Sequence, residues 1–115
     1  MVESVEERLE RLEFYQQLLL DVMKDKDYPF YQLVIEKGLS KEEVSDVCRL
    51  CGRLTKAYEE QKELGFVNFY PLLIHFAGML NPKLHPDDTM NALYQQKMYI
   101  SLMEVLRRIR MGIKP

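Results

Sequence analysis

The chain has 115 residues, of which 30% are charged and 47% hydrophobic, and its formal net charge is −2. This length predicts a single domain with one modest core over residues 1–115. The slightly acidic balance excludes a global basic field for nucleic acid or anionic lipid. No apolar stretch approaches the ~20 residues that span a bilayer, and the N-terminal residues do not form a leader pattern. We therefore expect a cytoplasmic protein with no membrane partner.

The first 23 residues carry the strongest pattern in the chain. Apolar residues recur at alternating spacings of three and four, as in the a/d seam of a coiled coil, with one polar interruption. The residues of this pattern are Val2, Val5, Leu9, Leu12, Gln16, Leu19 and Met23. Ser4 and Glu7 match the S-x-x-E capping box, which predicts a helix from about Ser4 to Met23. About three heptads are the minimum for a coiled coil, so an ordinary amphipathic helix also fits the pattern.

The second half of this helix is apolar on more sides, because Leu18, Leu20 and Val22 flank the seam. We expect that half to dock into the domain body and the first half to bind one partner helix. A helix of this length is marginal alone in water, so it requires its own body, a second copy or another protein. We assign residues 1–23 as an N-terminal oligomerisation helix and 28–111 as the helical body.

Five further helices are predicted, which makes the chain an all-α multihelical bundle of about six helices with a long N-terminal coiled-coil-like helix. Pro29 in a first turn and Gly38 just past a last turn predict a short second helix. Ser40 with Glu43 gives a second capping box, and Gly65 gives a stop signal. These signals predict a third helix of about 24 residues.

The fourth helix is predicted to follow Asn68 as its N-cap. It is apolar on all sides, so we expect it in the centre of the core or against another subunit. Pro86 predicts the start of a fifth helix. The apolar pattern changes phase around Lys97, which predicts a bend or short turn before a sixth helix that ends near Met111.

The side chains with potential chemistry are few and scattered. Cys48 and Cys51 match C-x-x-C, but both lie in the middle of a predicted helix on its apolar face, which indicates small buried hydrophobic residues. A zinc site would need two further ligands. His75, expected as a partly buried packing residue, and His85, expected in a loop or cap, lie in different elements. No nucleophile–base pair or glycine-rich phosphate loop is present. We expect no enzyme, no catalytic residue, no metal ligand and no cofactor.

Two alternatives depend on other groups of side chains. A basic cluster near the C-terminus comprises Arg107, Arg108, Arg110 and Lys114. It would serve a transcriptional or nucleic-acid-associated regulator once the chain is dimerised, although the acidic balance makes nucleic acid an unexpected partner. A small-ligand binder ranks last, because it would need a pocket among side chains that show no organised polar site. Those side chains are Tyr28, Tyr31, Tyr70, His75 and Tyr94.

Four segments together resemble the YhaI-like family, small proteins of unknown function from Bacillus-type bacteria. The segments are RLERLEFY, YPFYQLVIEKGLSKEE, GFVNFYPLLIHFAGMLN and LMEVL. The resemblance covers nearly the whole chain and implies an all-helical cytoplasmic protein, with no catalytic or binding residue. Lys97 stands where the family is expected to place a glycine between the fifth and sixth helices. This departure implies a tighter or more helical turn here.

The leading hypothesis is a non-enzymatic, self-associating helical interaction or adaptor protein. The first helix is the expected contact surface, and the fourth helix is a second candidate. A homodimer is expected because two-fold closure is the commonest symmetry, and a trimer is also compatible with one Gln at an a position. An unidentified protein partner is the other expected occupant. The residues assigned to self-association are Val5, Leu9, Leu12, Gln16 and Leu19.

Overall fold

The structure, a computed structural model, describes residues 2–24 and 27–112. Those residues form six helices and no strand, which confirms the predicted all-α multihelical bundle. The helices are α1 (Val5–Met23), α2 (Pro29–Glu36), α3 (Lys41–Glu63), α4 (Tyr70–Met79), α5 (Pro86–Gln95) and α6 (Ile100–Arg110).

Local signals set the ends of α2 and α3. The Ser40 hydroxyl accepts the N–H of Glu43 at 3.1 Å, and the Glu43 carboxylate accepts the N–H of Ser40 at 2.9 Å. This reciprocal pair is the predicted capping box at the start of α3. Gly38 and Gly65 follow α2 and α3 with φ of 66° and 85°. Only a residue without Cβ adopts this left-handed conformation at no steric cost, so both predicted stop signals are confirmed.

The turn between α5 and α6 has the same geometry without a glycine. Lys97 has φ of 62°. Its N–H donates to the Tyr94 carbonyl at 3.0 Å, and the N–H of Met98 donates to the Leu93 carbonyl at 2.9 Å, which together form a Schellman motif. The predicted turn is therefore present, but it is a left-handed helix stop and not a more helical connection. For a residue with Cβ this conformation costs roughly 1–2 kcal/mol.

The start of α4 differs from the prediction. Phe69, not Asn68, is the N-cap residue, and its side chain makes no capping hydrogen bond. The side-chain oxygen of Asn68 accepts the N–H of Tyr70 at 3.1 Å. This bond closes an Asx turn, so Asn68 directs the chain into the helix from one position further upstream.

Helices α2 to α6 form the helical body around one hydrophobic core. α5 packs against α2 and α6, and α3, α4 and α6 pack against one another. Each of these five helices contributes buried side chains to the core. The fully covered residues at its centre include Phe30, Cys51, Phe76, Leu93, Leu102 and Leu106.

The first turn of α2 is anchored by a side chain from a distant part of the sequence. Its N-cap residue, Tyr28, makes no side-chain capping bond. The side-chain oxygen of Gln96 instead accepts the N–H groups of Phe30 at 2.8 Å and Tyr31 at 3.1 Å. The first N–H groups of a helix have no partner within it, so this amide takes the place of a cap. It ties α2 to the turn between α5 and α6.

α1 is placed differently from every helix of the body. The Ser4 hydroxyl accepts the N–H of Glu7 at 3.1 Å, which confirms Ser4 as the N-cap. The predicted capping box is only half formed, because the Glu7 carboxylate accepts from the Ser4 hydroxyl at 3.0 Å and not from the Ser4 N–H. None of its 19 residues is buried. The radius of gyration, 17.4 Å, exceeds the ~13 Å of a compact domain of this size, and the molecule is 66 Å long but only 26 by 19 Å across. α1 therefore extends from the body, with which it shares little surface.

The expectation that the second half of α1 docks into the body is wrong. Leu18, Leu19 and Val22 remain 46%, 59% and 67% exposed. Leu20 and Met23 are half-buried. The body therefore leaves most of the apolar surface of this half open to solvent.

Candidate self-association surface on α1

The predicted contact residues lie on one face of α1 and are open to solvent. We call these residues, Val5, Leu9, Leu12, Gln16 and Leu19, the α1 seam. Spacings of three and four residues place them on the same side of a helix. The four apolar members are 75%, 53%, 47% and 59% exposed in chain order. The structure thus brings the five residues together as one surface, and their role in self-association stays a prediction.

The residues that border the α1 seam change character along the helix. With Leu9 at heptad position a, Glu6 and Glu13 occupy e positions and Arg8 occupies a g position. In the following turns the flanking g and e positions hold Tyr15 and Leu20. The seam therefore has ionic borders in its first half and apolar borders in its second half.

A second apolar stripe lies beside the seam in the last turns of α1. Tyr15, Leu18 and Val22 follow one another at spacings of three and four residues, and each is exposed. Sequence reasoning assigned two of them, Leu18 and Val22, to a contact with the body. Contiguous exposed apolar surface of this kind is typical of interaction sites. Sequence reasoning recognised the width of this apolar surface but did not include Tyr15 in it, although Tyr15 lies three residues before Leu18 on the same side of the helix.

α4 offers a smaller exposed apolar surface. Of the two positions expected for α4, the centre of the core is wrong, because α4 lies at the edge of the body. The position against another subunit stays a prediction. Its buried side chains are Leu72, Leu73 and Phe76. Its exposed apolar side chains include Tyr70, Ile74 and Met79, at 53%, 57% and 61%. Ala77 is also exposed.

The two cysteines belong to the packing of α3. Cys51 is fully buried and Cys48 is half-buried. Burial raises the pKa of Cys51 to about 12, with a smaller contribution from the neighbouring Cys48. A thiol with this pKa stays protonated at neutral pH and is a poor nucleophile. The Cys48 carbonyl accepts a hydrogen bond from the Tyr99 hydroxyl at 3.3 Å, which joins α3 to the start of α6.

The two histidines lie apart. His75 is exposed on α4, so the expectation of partial burial is wrong, whereas His85 is the N-cap of α5, as predicted. Over residues 2–24 and 27–112, no three His, Cys, Asp or Glu side chains are grouped as metal ligands would be. In the same residues, no helix combines the length and the apolar character that crossing a membrane requires.

The basic residues of α6 have partners within the chain. The Arg107 guanidinium donates to the side-chain oxygen of Asn91 at 2.9 Å and lies 4.1 Å from the centre of the Tyr94 ring. Arg108 forms an ion pair with Glu104 at 3.2 Å. These contacts direct two of the four predicted phosphate-binding side chains towards the protein itself.

Arg110 is held in the same way at the end of α6. Its guanidinium donates to both carboxylate oxygens of Asp87, at 3.0 and 3.2 Å. The fourth member of the predicted cluster, Lys114, lies outside the described residues. The nearby carboxylate of Asp87 offsets the positive charge that a phosphate group would meet here.

The side chains required for a ligand pocket lie in separate places on the body. The rings of Tyr28 and Tyr31 stack with their centres 6.0 Å apart. Tyr70 and His75 are exposed on α4. Tyr94 lies against Arg107 of α6. This arrangement does not form one site from the five residues.

One groove of about 380 Å³ runs between α3 and α6. Its charged lining residues are Glu59, Lys62, Glu104 and Arg108. Acids and bases are balanced in this groove, and Arg108 is already paired with Glu104. The groove therefore presents no net charge that would select an anionic or cationic ligand.

The sequence of the chain matches a family model, described as a protein of unknown function (DUF1878), over residues 2–111. The match includes α1 together with the whole helical body. It confirms the resemblance to a family of unknown function, whereas the YhaI-like name and the Bacillus-type origin stay predictions. On this match the chain belongs to the DUF1878 family.

Proposed function

We propose that this protein is a non-enzymatic interaction protein that self-associates through α1 to form a homodimer. The observation that supports this function is the exposed α1 seam, on a helix in which no residue is buried. A single amphipathic helix is only marginally stable in water. Pairing with a second copy would cover the apolar face and stabilise the helix at the same time.

The energy of this association comes from a few side chains. Each Leu that passes from water into a packed seam contributes about 1.5–3 kcal/mol. Three leucines of the α1 seam, Leu9, Leu12 and Leu19, are about half exposed. Gln16 lies between them and lowers the stability of the seam, as a polar residue at an a position does. We therefore expect a moderate association that depends on protein concentration.

A second copy is the proposed partner because the seam is complementary to itself. Closed two-fold assemblies use the same patch on both chains, and a stripe of leucines satisfies that requirement. A trimer or an unidentified protein on the same face would be other occupants. The contacts of Arg107 and Arg110 within the chain do not favour the alternative function of a nucleic-acid-associated regulator.

The test is sedimentation equilibrium over a wide concentration range. The variant Leu9→Asp/Leu12→Asp places two charges in the seam, where burial of an unpaired carboxylate is strongly unfavourable. The matched control, Phe14→Asp/Gln17→Asp, places the same two charges with the same spacing on the opposite side of α1. We expect dimers for the natural chain and for the control, and a folded monomer for the seam variant.

Circular dichroism checks that both variants retain the helical body. A natural chain that remains monomeric at all concentrations contradicts the proposal. Equal association of the natural chain and the seam variant contradicts it as well, because the contact would then lie elsewhere, for example on the exposed side of α4.

A further inference from the structure

We infer that the α1 helices of two copies pair in parallel and in register, so that both helical bodies lie at the same end of the paired helices. This inference rests on the proposed function and specifies the geometry of that contact. Two independent features of the exposed surface of α1 carry it. These features are the charges that border the seam and the single amide within it.

The charges at the borders of the seam favour the parallel arrangement. In a parallel pair, a g residue of one helix faces the e residue of the following heptad on the other helix. Arg8 at g then faces Glu13 at e of the second copy, and symmetry forms this pair twice. Both side chains are exposed on α1. One heptad further on, Tyr15 at g faces Leu20 at e, so an apolar side chain meets an apolar side chain.

The antiparallel arrangement does not place complementary side chains opposite each other. In that arrangement e residues face e residues and g residues face g residues. With full overlap of the helices, Glu13 faces Glu13 of the second copy and Arg8 faces Val22. With a shift of one heptad, Glu13 faces Glu6 and Arg8 faces Tyr15. Both of these registers therefore place two carboxylates opposite each other, which is unfavourable, and neither of them gives Arg8 a carboxylate partner.

The side-chain amide of Gln16, within the seam, also favours parallel pairing, through hydrogen bonding and not through charge. In a parallel pair in register, Gln16 at a faces Gln16 of the second copy, and the two side chains can donate to and accept from each other. In the antiparallel registers Gln16 faces Leu12 or Val5. It would then be buried without a hydrogen-bond partner, which costs more than the bond itself contributes. A parallel pair shifted by one heptad loses the bond too, so this residue selects the register as well as the direction.

The parallel direction has a consequence for the assembly. The chain enters the body after Met23, at the C-terminal end of α1. Parallel pairing therefore brings the bodies side by side next to the apolar second half of α1, which is the half that requires additional cover. The same facing residues also hold for three parallel helices, so the inference concerns direction and register and not strand number.

Disulfide trapping tests the direction. The background is Cys48→Ser, which leaves Cys51 inaccessible in the core. Leu9→Cys and Leu19→Cys are made separately and mixed in equal amounts at a concentration at which the natural chain sediments as an oligomer. Oxidised glutathione then converts facing thiols into disulfides, which non-reducing electrophoresis separates.

The two arrangements give opposite products. Parallel pairing in register links Leu9→Cys to itself and Leu19→Cys to itself, and mixed disulfides form at no more than a few per cent. Antiparallel pairing with full overlap forms mostly the mixed disulfide and overturns the inference. Phe14→Cys, on the side of α1 opposite the seam, is the control and should remain unlinked.

Charge reversal supplies a second readout that does not depend on cysteine. Arg8→Glu and Glu13→Arg should each weaken the association about tenfold in Kd, since two ion pairs become two repulsions. The double variant restores both pairs and should return Kd to within about twofold of the natural value. Absence of this rescue overturns the inference even if the chain associates. A monomeric natural chain overturns the proposed function itself, so the two failures are distinguishable.

Discussion

Helices α1 and α2 differ in what stabilises them. α2 has only 8 residues, but Phe30 is buried in the core and Gln96 completes its first turn. α1 has 19 residues and a good N-cap, but no residue of it is buried. Tertiary contacts, and not helix length, therefore stabilise a helix in this fold. α1 shares little surface with the rest of the described chain and has the apolar surface to obtain such contacts from another molecule.

We expect α1 and the helical body to respond to different changes as two units. The body is a cooperative core, whose stability depends on the packing of α2 to α6. α1 is a helix whose stability depends on what covers it. Changes in the body should therefore alter unfolding without altering association, and changes in the α1 seam should do the reverse.

The largest effect is expected for Phe76→Ala in the body. Phe76 is fully buried on α4, so its truncation leaves a cavity and should lower the free energy of unfolding by about 3–5 kcal/mol. Leu12→Ala removes a large side chain from the exposed seam and should change the unfolding of the body by less than about 0.5 kcal/mol in dilute solution. Urea denaturation followed by circular dichroism measures both. Equal losses for the two variants would mean that α1 and the body are not separate units.

A smaller effect of opposite sign is expected for Lys97→Gly. Lys97 occupies the left-handed stop after α5 with φ of 62°, and glycine removes the Cβ clash there. We expect the free energy of unfolding to rise by about 1 kcal/mol. Gly38→Lys introduces the same clash after α2 and should lower stability by a similar amount. Thermal unfolding measures both, and sedimentation should be unchanged in each case. A loss of stability in Lys97→Gly would mean that the side chain makes a stabilising contact that exceeds the strain.

The smallest effect concerns acid, and its source is Glu43 at the start of α3. Lys83 lies 2.8 Å from one carboxylate oxygen, and Asn81 donates to the other at 2.9 Å. These bonds and that from the Ser40 N–H lower the pKa of Glu43 from 4.5 to about 2, with Lys83 as the largest cause. Since the carboxylate is favoured in the folded state, its contribution is complete above pH 4.5 and is lost as the pH falls towards 2.

Glu43→Gln should therefore flatten the dependence of the melting temperature on pH between about 4.5 and 2. The exposed neighbour Glu42, changed to Gln, controls for the loss of one negative charge. The effect should be small because the Glu43–Lys83 pair is partly exposed and screened by solvent. An unchanged slope in Glu43→Gln would show that this network does not link stability to pH.

The parts of the fold that follow from short sequence separations could be predicted. The Ser40–Glu43 box and the stop at Gly38 depend on residues within one turn, so their chemistry is readable locally. Gln96 could not be identified as the cap of α2, because it lies 66 residues from Phe30 in the sequence. The pairing of Arg110 with Asp87, which spans 23 residues of sequence, could not be read locally either. It neutralises a side chain that the sequence pattern presents as part of a free basic cluster.

For the candidate site, the sequence predicts the face of α1 but not the surface that covers it. Spacing alone places Leu9, Leu12 and Leu19 on one face, since the period of a helix is fixed. Spacing does not say which molecule covers that face. The expected docking of Leu18 and Val22 into the body was wrong. Apolar periodicity shows which face of a helix favours burial, but it does not show which surface buries that face.

If α1 pairs as proposed, its exposed position would also link the lifetime of the protein to its abundance. A protease that cuts after Arg8 or Arg11 requires an unfolded segment, and a lone helix without buried contacts opens far more often than a core helix. Paired helices open rarely, because opening must also break the pair. Newly made chains at low concentration would then be degraded faster than assembled ones. Proteases would thereby distinguish unassembled from assembled chains at the same surface that is used for assembly.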